Sequence, residues 1–256
     1  MSEPTSHKPA NQYDDPSHNY LHYWDGRDYE NEAERMAITR LLDGKHFKRA
    51  ADIGGGYGRL CVFLEQYADR VTLAEPSQQQ LDIGAEFLKD HPEIDRVQMQ
   101  ADELKFNDGE LDLITMIRVM HHLPKPEPEF AELSRVLAPG GYLILEVANS
   151  THARNRIKAT LKGEKIPATP INVASAASTA DGGIAFVNHH PATVERQLAA
   201  AGLTVERKLS VSNLRSPGLK KVLPRQLMLG LENVMQTTLA SANFGPSMFL
   251  LVRKAA

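Results

Sequence analysis

A run of glycines directly after a short apolar segment is the part of this sequence best suited to bind a ligand. Residues 50–53 have the pattern of a strand, and glycines at positions 54, 55, 56 and 58 then lead into a predicted helix. Glycines in this number cost chain entropy that a plain turn does not require, so they indicate a backbone in contact with a ligand. Open α/β sheets bind nucleotides at the carboxyl ends of their strands. We therefore predict a nucleotide-type site on Gly54, Gly55 and Gly56.

The spacing of the glycines favours one kind of nucleotide over another. Dinucleotide sites use G-x-G-x-x-G, whereas Gly54, Gly56 and Gly58 are separated by one residue each, and Asp52 stands two residues before the first of them. A carboxylate near the ligand is a poor neighbour for a pyrophosphate and a good one for a cation. The pattern therefore favours a positively charged nucleoside.

Acidic residues also follow the next two predicted strands. Glu75, followed by Pro76, comes 23 residues after Asp52, where a carboxylate suits a bidentate hydrogen bond to a ribose diol. An NAD site would use the same feature, and a capping or solvated acid is the structural alternative. Asp102 and Glu103 follow the third strand, where Asp102 is placed to accept from an adenine amino group or to form a turn.

A cluster of basic side chains follows the fourth predicted strand. Arg118 is suited either to a carboxylate of cofactor or substrate or to a surface salt bridge. His121 and His122 are adjacent, and neighbouring side chains diverge, so without an evident third ligand we predict no metal site. One histidine is expected to face the reaction site while the other packs.

Strands and helices must alternate to bring these residues to one edge. Predicted helices separate the first strands, which favours a parallel, doubly wound α/β sheet with helices on both faces. Residues 111–117 form a near-continuous apolar run, typical of a strand buried on both sides. The predicted strands cover residues 50–53, 70–74, 97–101, 111–117, 142–147, 204–211 and 248–252.

Residues 50–148 resemble the class I S-adenosylmethionine (SAM) dependent methyltransferases, of the small-molecule type. The glycine turn, the two acids after strands two and three, the His-His-Leu at 121–123 and the Pro-Gly-Gly at 139–141 follow in the family's order. The resemblance implies a Rossmann-like sheet of seven mostly parallel strands, with the last strand antiparallel. It also implies a cofactor site for SAM, with S-adenosylhomocysteine as product, on Asp52, Gly54, Gly55, Gly56, Glu75, Pro76, Asp102, Glu103 and Arg118.

The implied reaction is in-line transfer of the methyl group to a small-molecule acceptor. A general base is needed only for a protonated acceptor. His121 and His122 are the candidate bases, because an unperturbed imidazole titrates near neutrality.

The domain prediction is an N-terminal arm at residues 1–27, partly disordered, and a methyltransferase domain at 28–256. Four aromatic residues at 20–29 either pack this arm onto the domain or line a pocket. Two insertions, at about 151–190 and 213–246, interrupt the pattern. We expect the first to be a lid or a flexible insertion. We expect the second, with its helical apolar spacing, to pack on the domain, to support a homodimer, or to wall an apolar pocket.

Composition limits the remaining classes of function. The net charge of −3 and the absence of a long basic run argue against nucleic acid, and a single cysteine excludes a disulfide framework. No apolar run is long enough for a membrane span, so we expect a cytoplasmic location. Two alternatives stay open: an NAD(P)-dependent oxidoreductase on a similar fold, and a non-catalytic module that binds SAM.

Overall fold

A central β-sheet carries the residues singled out above. The structure is a computed structural model that describes residues 23–173 and 186–255. The strands in these ranges are β1 (Phe47–Ile53), β2 (Ala68–Glu75), β3 (Ile94–Gln98), β4 (Leu111–Met116), β5 (Leu137–Ala148), β6 (Ile171–Asn172), β7 (Val187–Asn188), β8 (Leu203–Val211) and β9 (Ser247–Lys254).

Seven of these strands form one sheet in the order β3-β2-β1-β4-β5-β9-β8. Strands β1 to β5 pair in parallel, and β9 is antiparallel to both β5 and β8. The order reverses between β1 and β4, and the crevice at such a switch point is where doubly wound sheets bind ligands. The predicted seven-stranded, mostly parallel sheet with an antiparallel last strand is confirmed.

Helices cover both faces of the sheet, as predicted. Neighbouring residues of β4 point to opposite faces: Leu113 belongs to one apolar cluster and Ile114 to the other, and both are fully buried. This two-sided burial is the reason that the central strands are almost continuously apolar. The helices are α1 (Asp28–Leu42), α2 (Arg59–Leu64), α3 (Gln78–Phe87), α4 (Glu127–Val136), α5 (Ala153–Lys162), α6 (Pro191–Ala200), α7 (Pro217–Val222) and α8 (Arg225–Thr238).

The third strand begins and ends earlier than its sequence pattern indicated. It covers Ile94–Gln98 instead of residues 97–101. Strand β3 lies at the edge of the sheet, and the side chains of Asp95 and Arg96 are exposed. These charged side chains interrupt the apolar pattern on which the prediction depended. Residues 101–103 consequently lie in the loop after the strand.

The first insertion contains regular structure in its described part. Helix α5 is followed by β6, which pairs with β7 in a small antiparallel sheet. His189 next to β7 is buried, and its backbone N–H donates to the carbonyl of Ala148 at the end of β5, at 2.7 Å. This part of the insertion is therefore hydrogen-bonded to the central sheet. The predictions for residues 1–22 and 174–185 lie outside the described residues.

The second insertion packs on the domain through polar side chains. Helix α8 buries Met228, Glu232 and Gln236, while Leu231 and Val234 are exposed. Glu232 accepts from the Tyr29 hydroxyl at 2.7 Å and from the backbone N–H of residue 212 at 2.8 Å. None of the apolar residues of α8 lines the three cavities described below, so the expectation that they wall a pocket stays a prediction. In residues 23–173 and 186–255, no helix is both long and apolar enough to cross a bilayer.

Candidate functional site

The carboxyl ends of β1, β2 and β4 surround a cavity of about 270 Å³, which we call the glycine cavity. It lies at the switch point of the sheet, where β1 and β4 are neighbours. Its walls come from the loops after β1 to β4 and from helices α3 and α4. The lining residues are Ile53, Gly54, Gly56, Glu75, Pro76, Gln80, Met99, Gln100, Ala101, Asp102, Arg118, Val119, His122, Leu123 and Glu129.

The glycine turn has a backbone that larger residues cannot adopt. Gly54 and Gly56 have φ values of +69° and +60°, in the left-handed region. A Cβ on Gly54 would lie 2.5 Å from a methyl carbon of Val119, and one on Gly55 would lie 2.5 Å from Asp52 Oδ2. The turn therefore requires glycine both for its conformation and for close packing.

Asp52 lies beneath this turn and is almost fully buried, at 1% exposure. The Thr115 hydroxyl donates to its Oδ1 at 2.6 Å, and Oδ2 has no hydrogen-bond partner among the described residues. Burial raises the pKa of Asp52 to about 6, against the lowering effects of the Thr115 hydrogen bond and the Arg59 charge. Asp52 lines a small cleft of about 40 Å³, which shares Gly54, Gly56 and Arg118 with the glycine cavity. We call it the Asp52 cleft.

Glu75 is held rigidly at the end of β2. Its Oε2 accepts from the backbone N–H of Gly56 at 2.9 Å, and its Oε1 accepts from that of Ser77 at 3.0 Å. The side chain is 4% exposed and lines the glycine cavity together with Pro76. Each carboxylate oxygen accepts more than one hydrogen bond, so this anchoring is compatible with the predicted contact to a ribose.

The opposite wall of the glycine cavity carries further polar groups. Asp102 lines it, whereas Glu103 is exposed and does not. Gln80 on α3 is 2% exposed, and neither of its side-chain polar atoms has a partner in residues 23–173 and 186–255. On α4, Glu129 Oε2 also lacks a partner, and burial raises the pKa of this carboxyl. Buried polar atoms without partners are costly in a folded protein, so this wall is arranged for a polar ligand.

Arg118 joins the strand loops to the N-terminal helix. It has a left-handed backbone with φ of +61°, which is unfavourable for a residue with a side chain. Its Nε donates to Glu34 Oε1 at 2.6 Å, and Glu34 Oε2 accepts from Arg59 at 2.7 Å. The Trp24 ring lies 3.6 Å below the Arg59 guanidinium. Trp24 therefore packs on the domain and also lines the Asp52 cleft.

The histidine pair separates two cavities. His122 lines the glycine cavity and His121 lines a second one, with 3.9 Å between their ring centroids. Phe186 stacks on His121 at 5.2 Å. Burial lowers the pKa of His121 to about 3, and the nearby His122 and Arg118 charges act in the same direction. His121 is therefore neutral at physiological pH and a weak proton acceptor.

The second cavity has a volume of about 160 Å³ and lies over the ends of β5 and β9. Two arginines line it, and we call it the arginine cavity. The first insertion contributes residues on both sides of residues 174–185, and the second contributes Arg215. The lining residues are Arg118, His121, Glu146, Ala148, His152, Val173, Phe186, Asn188, Arg215, Pro246 and Ser247.

The structure brings most of the predicted residues to one edge of the sheet. All except Glu103 line one of the three neighbouring spaces. Sequence reasoning missed Glu34, Gln80, Glu129 and Arg215. Helical spacing identifies which residues share a face, but it does not show that a face borders a cavity built from other segments. No group of three or more metal-ligating side chains is found in the described ranges.

A family model described as "Methyltransferase domain" matches residues 51–145. The ubiquinone/menaquinone biosynthesis C-methyltransferase UbiE of Shewanella pealeana is 31% identical over 111 residues, which are 41% of this chain and 44% of that protein. The chain thus spans less than half the length of the curated relatives it matches.

Solved structures share the fold over most of the chain. A SAM-dependent methyltransferase from Mesorhizobium loti superimposes with a TM-score of 0.60 at 15% identity, covering 88% of this chain and 100% of that one. The Burkholderia thailandensis 1,6-didemethyltoxoflavin-N1-methyltransferase, with bound 1,6-didemethyltoxoflavin and S-adenosylhomocysteine, has a TM-score of 0.57 at 18% identity, covering 92% and 85%. The fold is that of the SAM-dependent methyltransferases, and the resemblance to this family is confirmed over residues 51–145.

Proposed function

We propose that this chain, which has the fold of the SAM-dependent methyltransferases and their domain pattern over residues 51–145, transfers a methyl group from SAM to a small-molecule acceptor. The observation on which the proposal depends is the burial of Asp52. Its unpartnered oxygen is buried beneath the glycine turn, and a buried carboxylate without a partner is unfavourable unless a cation approaches it. SAM is a cationic nucleoside, as the glycine spacing and Asp52 predicted.

The polar groups of the site divide between the parts of this cofactor. In the proposal, Asp52 faces the cationic methionine end in the Asp52 cleft, and Glu75 accepts from the ribose hydroxyls. Asp102, Gln80 and Glu129 surround the adenine end of the glycine cavity. Gly54, Gly55 and Gly56 allow the backbone to approach the ligand, and Pro76 completes the wall beside Glu75. Glu103 is outside the cavity, so the proposal gives it no direct contact.

Catalysis by this chain is then mainly a matter of positioning. When bound, SAM supplies a methyl group that is already activated by a cationic sulfur. Holding two reactants in the productive geometry lowers a barrier by roughly 7–11 kcal/mol. His121 is a poor general base because its pKa is about 3, and efficient bases titrate near the working pH. We assign it to the wall of the acceptor site, and an acceptor that needs a base would have to use His122.

The acceptor is proposed to lie on the side of Arg118 and the histidine pair that faces the arginine cavity. The names of the two relatives above refer to ubiquinone/menaquinone biosynthesis and to 1,6-didemethyltoxoflavin, which support a small molecule.

A homodimer also stays a proposal. The exposed Leu227, Leu231 and Val234 of α8 are the surface suited to it, and light scattering of Leu231→Glu against the unchanged protein tests it.

Calorimetry with SAM and with NADH tests the proposed function directly. We expect SAM to bind and NADH not to bind, and selective binding of NADH would reject the proposal in favour of an oxidoreductase. A second measurement follows transfer of a labelled methyl group from SAM to a panel of small molecules. Binding of SAM without transfer to any compound of the panel would favour the non-catalytic module.

A further inference from the structure

The arginine cavity borders the proposed cofactor site but has chemistry of its own. Arg118 lines the glycine cavity, the Asp52 cleft and the arginine cavity. The ring of His121 faces the arginine cavity and that of His122 the glycine cavity. A molecule in the arginine cavity would therefore contact the same side chains that separate it from the cofactor.

The charges around the arginine cavity do not balance. Glu34 pairs with both Arg59 and Arg118, so one carboxylate serves two guanidinium groups. Glu146 accepts from the backbone N–H of Arg118 at 3.2 Å and from the Ser247 hydroxyl at 2.6 Å, and burial raises its pKa. In residues 23–173 and 186–255, the side chain of Arg215 forms no hydrogen bond or ion pair.

The other charged groups near Arg215 form no ion pair with it in the part of the chain that the structure describes. Glu30 is held by Lys220, whose Nζ lies 2.5 Å from Glu30 Oε1. His152 has its pKa lowered by burial and by the charges of Arg215, Arg154 and Arg156, so it is neutral near pH 7. Arg215 is an exposed residue, and partial desolvation together with the charge of Arg118 lowers its pKa. The cavity thus presents a cation that an anionic ligand would neutralise.

The loop that carries Arg215 is fixed by buried interactions. Glu232 of α8 is fully buried and accepts from the backbone N–H groups of Ser212 at 2.8 Å and Asn213 at 3.0 Å. The backbone N–H of Leu214 donates to the Tyr29 hydroxyl at 3.1 Å. Three consecutive residues before Arg215 are therefore held by groups from two helices. A preorganised cation binds an anion at a smaller cost in entropy than one on a free loop.

The remaining walls combine polar side chains with apolar ones. Val173, Phe186 and Pro246 line the cavity, and the Phe186 ring is inclined by only 25° to the ring of His121. A volume of about 160 Å³ is similar to that of an engineered cavity that holds one benzene ring. These walls suit a small planar molecule, whose anionic group reaches Arg215.

We propose that the methyl acceptor is a small aromatic carboxylate, whose carboxylate pairs with Arg215 while its ring lies between Phe186 and Pro246. Guanidinium and carboxylate groups match as a bidentate, charge-assisted pair. That the bound molecule accepts a methyl group rests on the proposed function. The binding of an anion in this cavity rests on the cavity alone.

The test uses matched pairs of probes on the full chain, with and without S-adenosylhomocysteine. Benzoate, 4-hydroxybenzoate and cinnamate are each compared with their primary amides by calorimetry and saturation-transfer NMR. We expect at least one acid to bind at least tenfold more tightly than its amide. Arg215→Gln should remove this preference, and because Arg215 is not a proposed cofactor contact, binding of S-adenosylhomocysteine should be unchanged.

Arg253→Gln is the charge-matched control. Arg253 lies at the opposite end of β9 from the cavity, where it pairs with Glu206 at 3.4 Å, so this variant should keep the full preference. The inference is overturned if no acid binds, if acids and amides bind equally, or if Arg215→Gln retains the preference. Failure of the protein to bind S-adenosylhomocysteine or SAM would instead count against the proposed function, so the two results are distinguishable.

Discussion

The glycine cavity and the arginine cavity share Arg118, yet the chain builds them in different ways. Every residue of the glycine cavity comes from residues 53–129, in the loops and helices that follow β1 to β4. The arginine cavity takes residues from 118 to 247, and many of them lie in the two insertions. The first is thus a product of local strand–loop–helix units, and the second exists only after distant segments meet. In this molecule the repeating units build the proposed cofactor site, and the insertions build the proposed acceptor site.

A substitution in the glycine turn should give the largest difference between ligand binding in the glycine cavity and ligand binding in the arginine cavity. Gly56→Asp places a side chain and a negative charge where φ is +60°, beside the Glu75 carboxylate that accepts from the Gly56 N–H. We expect the affinity for SAM to fall at least 100-fold, or about 3 kcal/mol, by calorimetry. Gly230→Asp is the control, because a Cβ at Gly230 meets open space. Unchanged affinity in Gly56→Asp would show that the turn is not the site.

Asp52 should show opposite effects on stability and on binding. Its pKa of about 6 in the folded protein lies above the ordinary aspartate value of 3.8. Stability is therefore greatest below the unfolded pKa and is lost as pH rises through 6. Asp52→Asn keeps an acceptor for Thr115 and removes this loss, so the ligand-free variant should be more stable than the unchanged protein by about 3 kcal/mol above pH 6.

The gain in stability should be absent below about pH 4, where the carboxyl is protonated in both states. The same variant should bind SAM at least tenfold more weakly. Urea denaturation between pH 4 and 8 and calorimetry check both effects. Equal stability at all pH values would contradict the unfavourable burial of Asp52, and undiminished binding would contradict its contact with the cation.

Glu75→Gln should weaken SAM binding by an intermediate amount. The amide keeps one acceptor for the backbone N–H groups of Gly56 and Ser77 but loses the charge. Hydrogen bonds to charged groups contribute about 1.5–3 kcal/mol, and we expect a loss on this scale in calorimetry. Glu103→Gln, on an exposed acid outside the cavity, serves as the matched control. Wild-type affinity in Glu75→Gln would place the ribose elsewhere.

The smallest expected effect concerns the histidine pair that separates the two cavities. Because the pKa of His121 is about 3, its imidazole should stay neutral between about pH 5 and 8, although an exposed histidine titrates near 6.5. The ring signals of His121, assigned through His121→Asn, should not shift in NMR spectra over this range. A titration near neutrality would restore His121 as a candidate base.

The different origins of the two cavities also explain what could be predicted. Asp52, Gly54 and Glu75 were identified because each follows a strand directly, and the carboxyl ends of neighbouring parallel strands meet at one edge. Gln80 and Glu129 were missed because nothing in helical spacing distinguishes a residue that borders a cavity. The third strand was placed too late because exposed charges at the edge of the sheet hide its alternation.

Short segments of the sequence predict the alternation of strands and helices and the glycine turn, because local periodicity, strand ends and glycine conformation are properties of such segments. Long-range packing, by contrast, sets the pairing of Glu34 with two arginines and the orientation of α8, which buries Glu232 and exposes Leu231. It also brings Arg215 and Phe186 into the wall of one cavity. Burial and charge pairing depend on residues far apart in the chain, so the free energies that set these contacts have no signature in any single stretch of sequence.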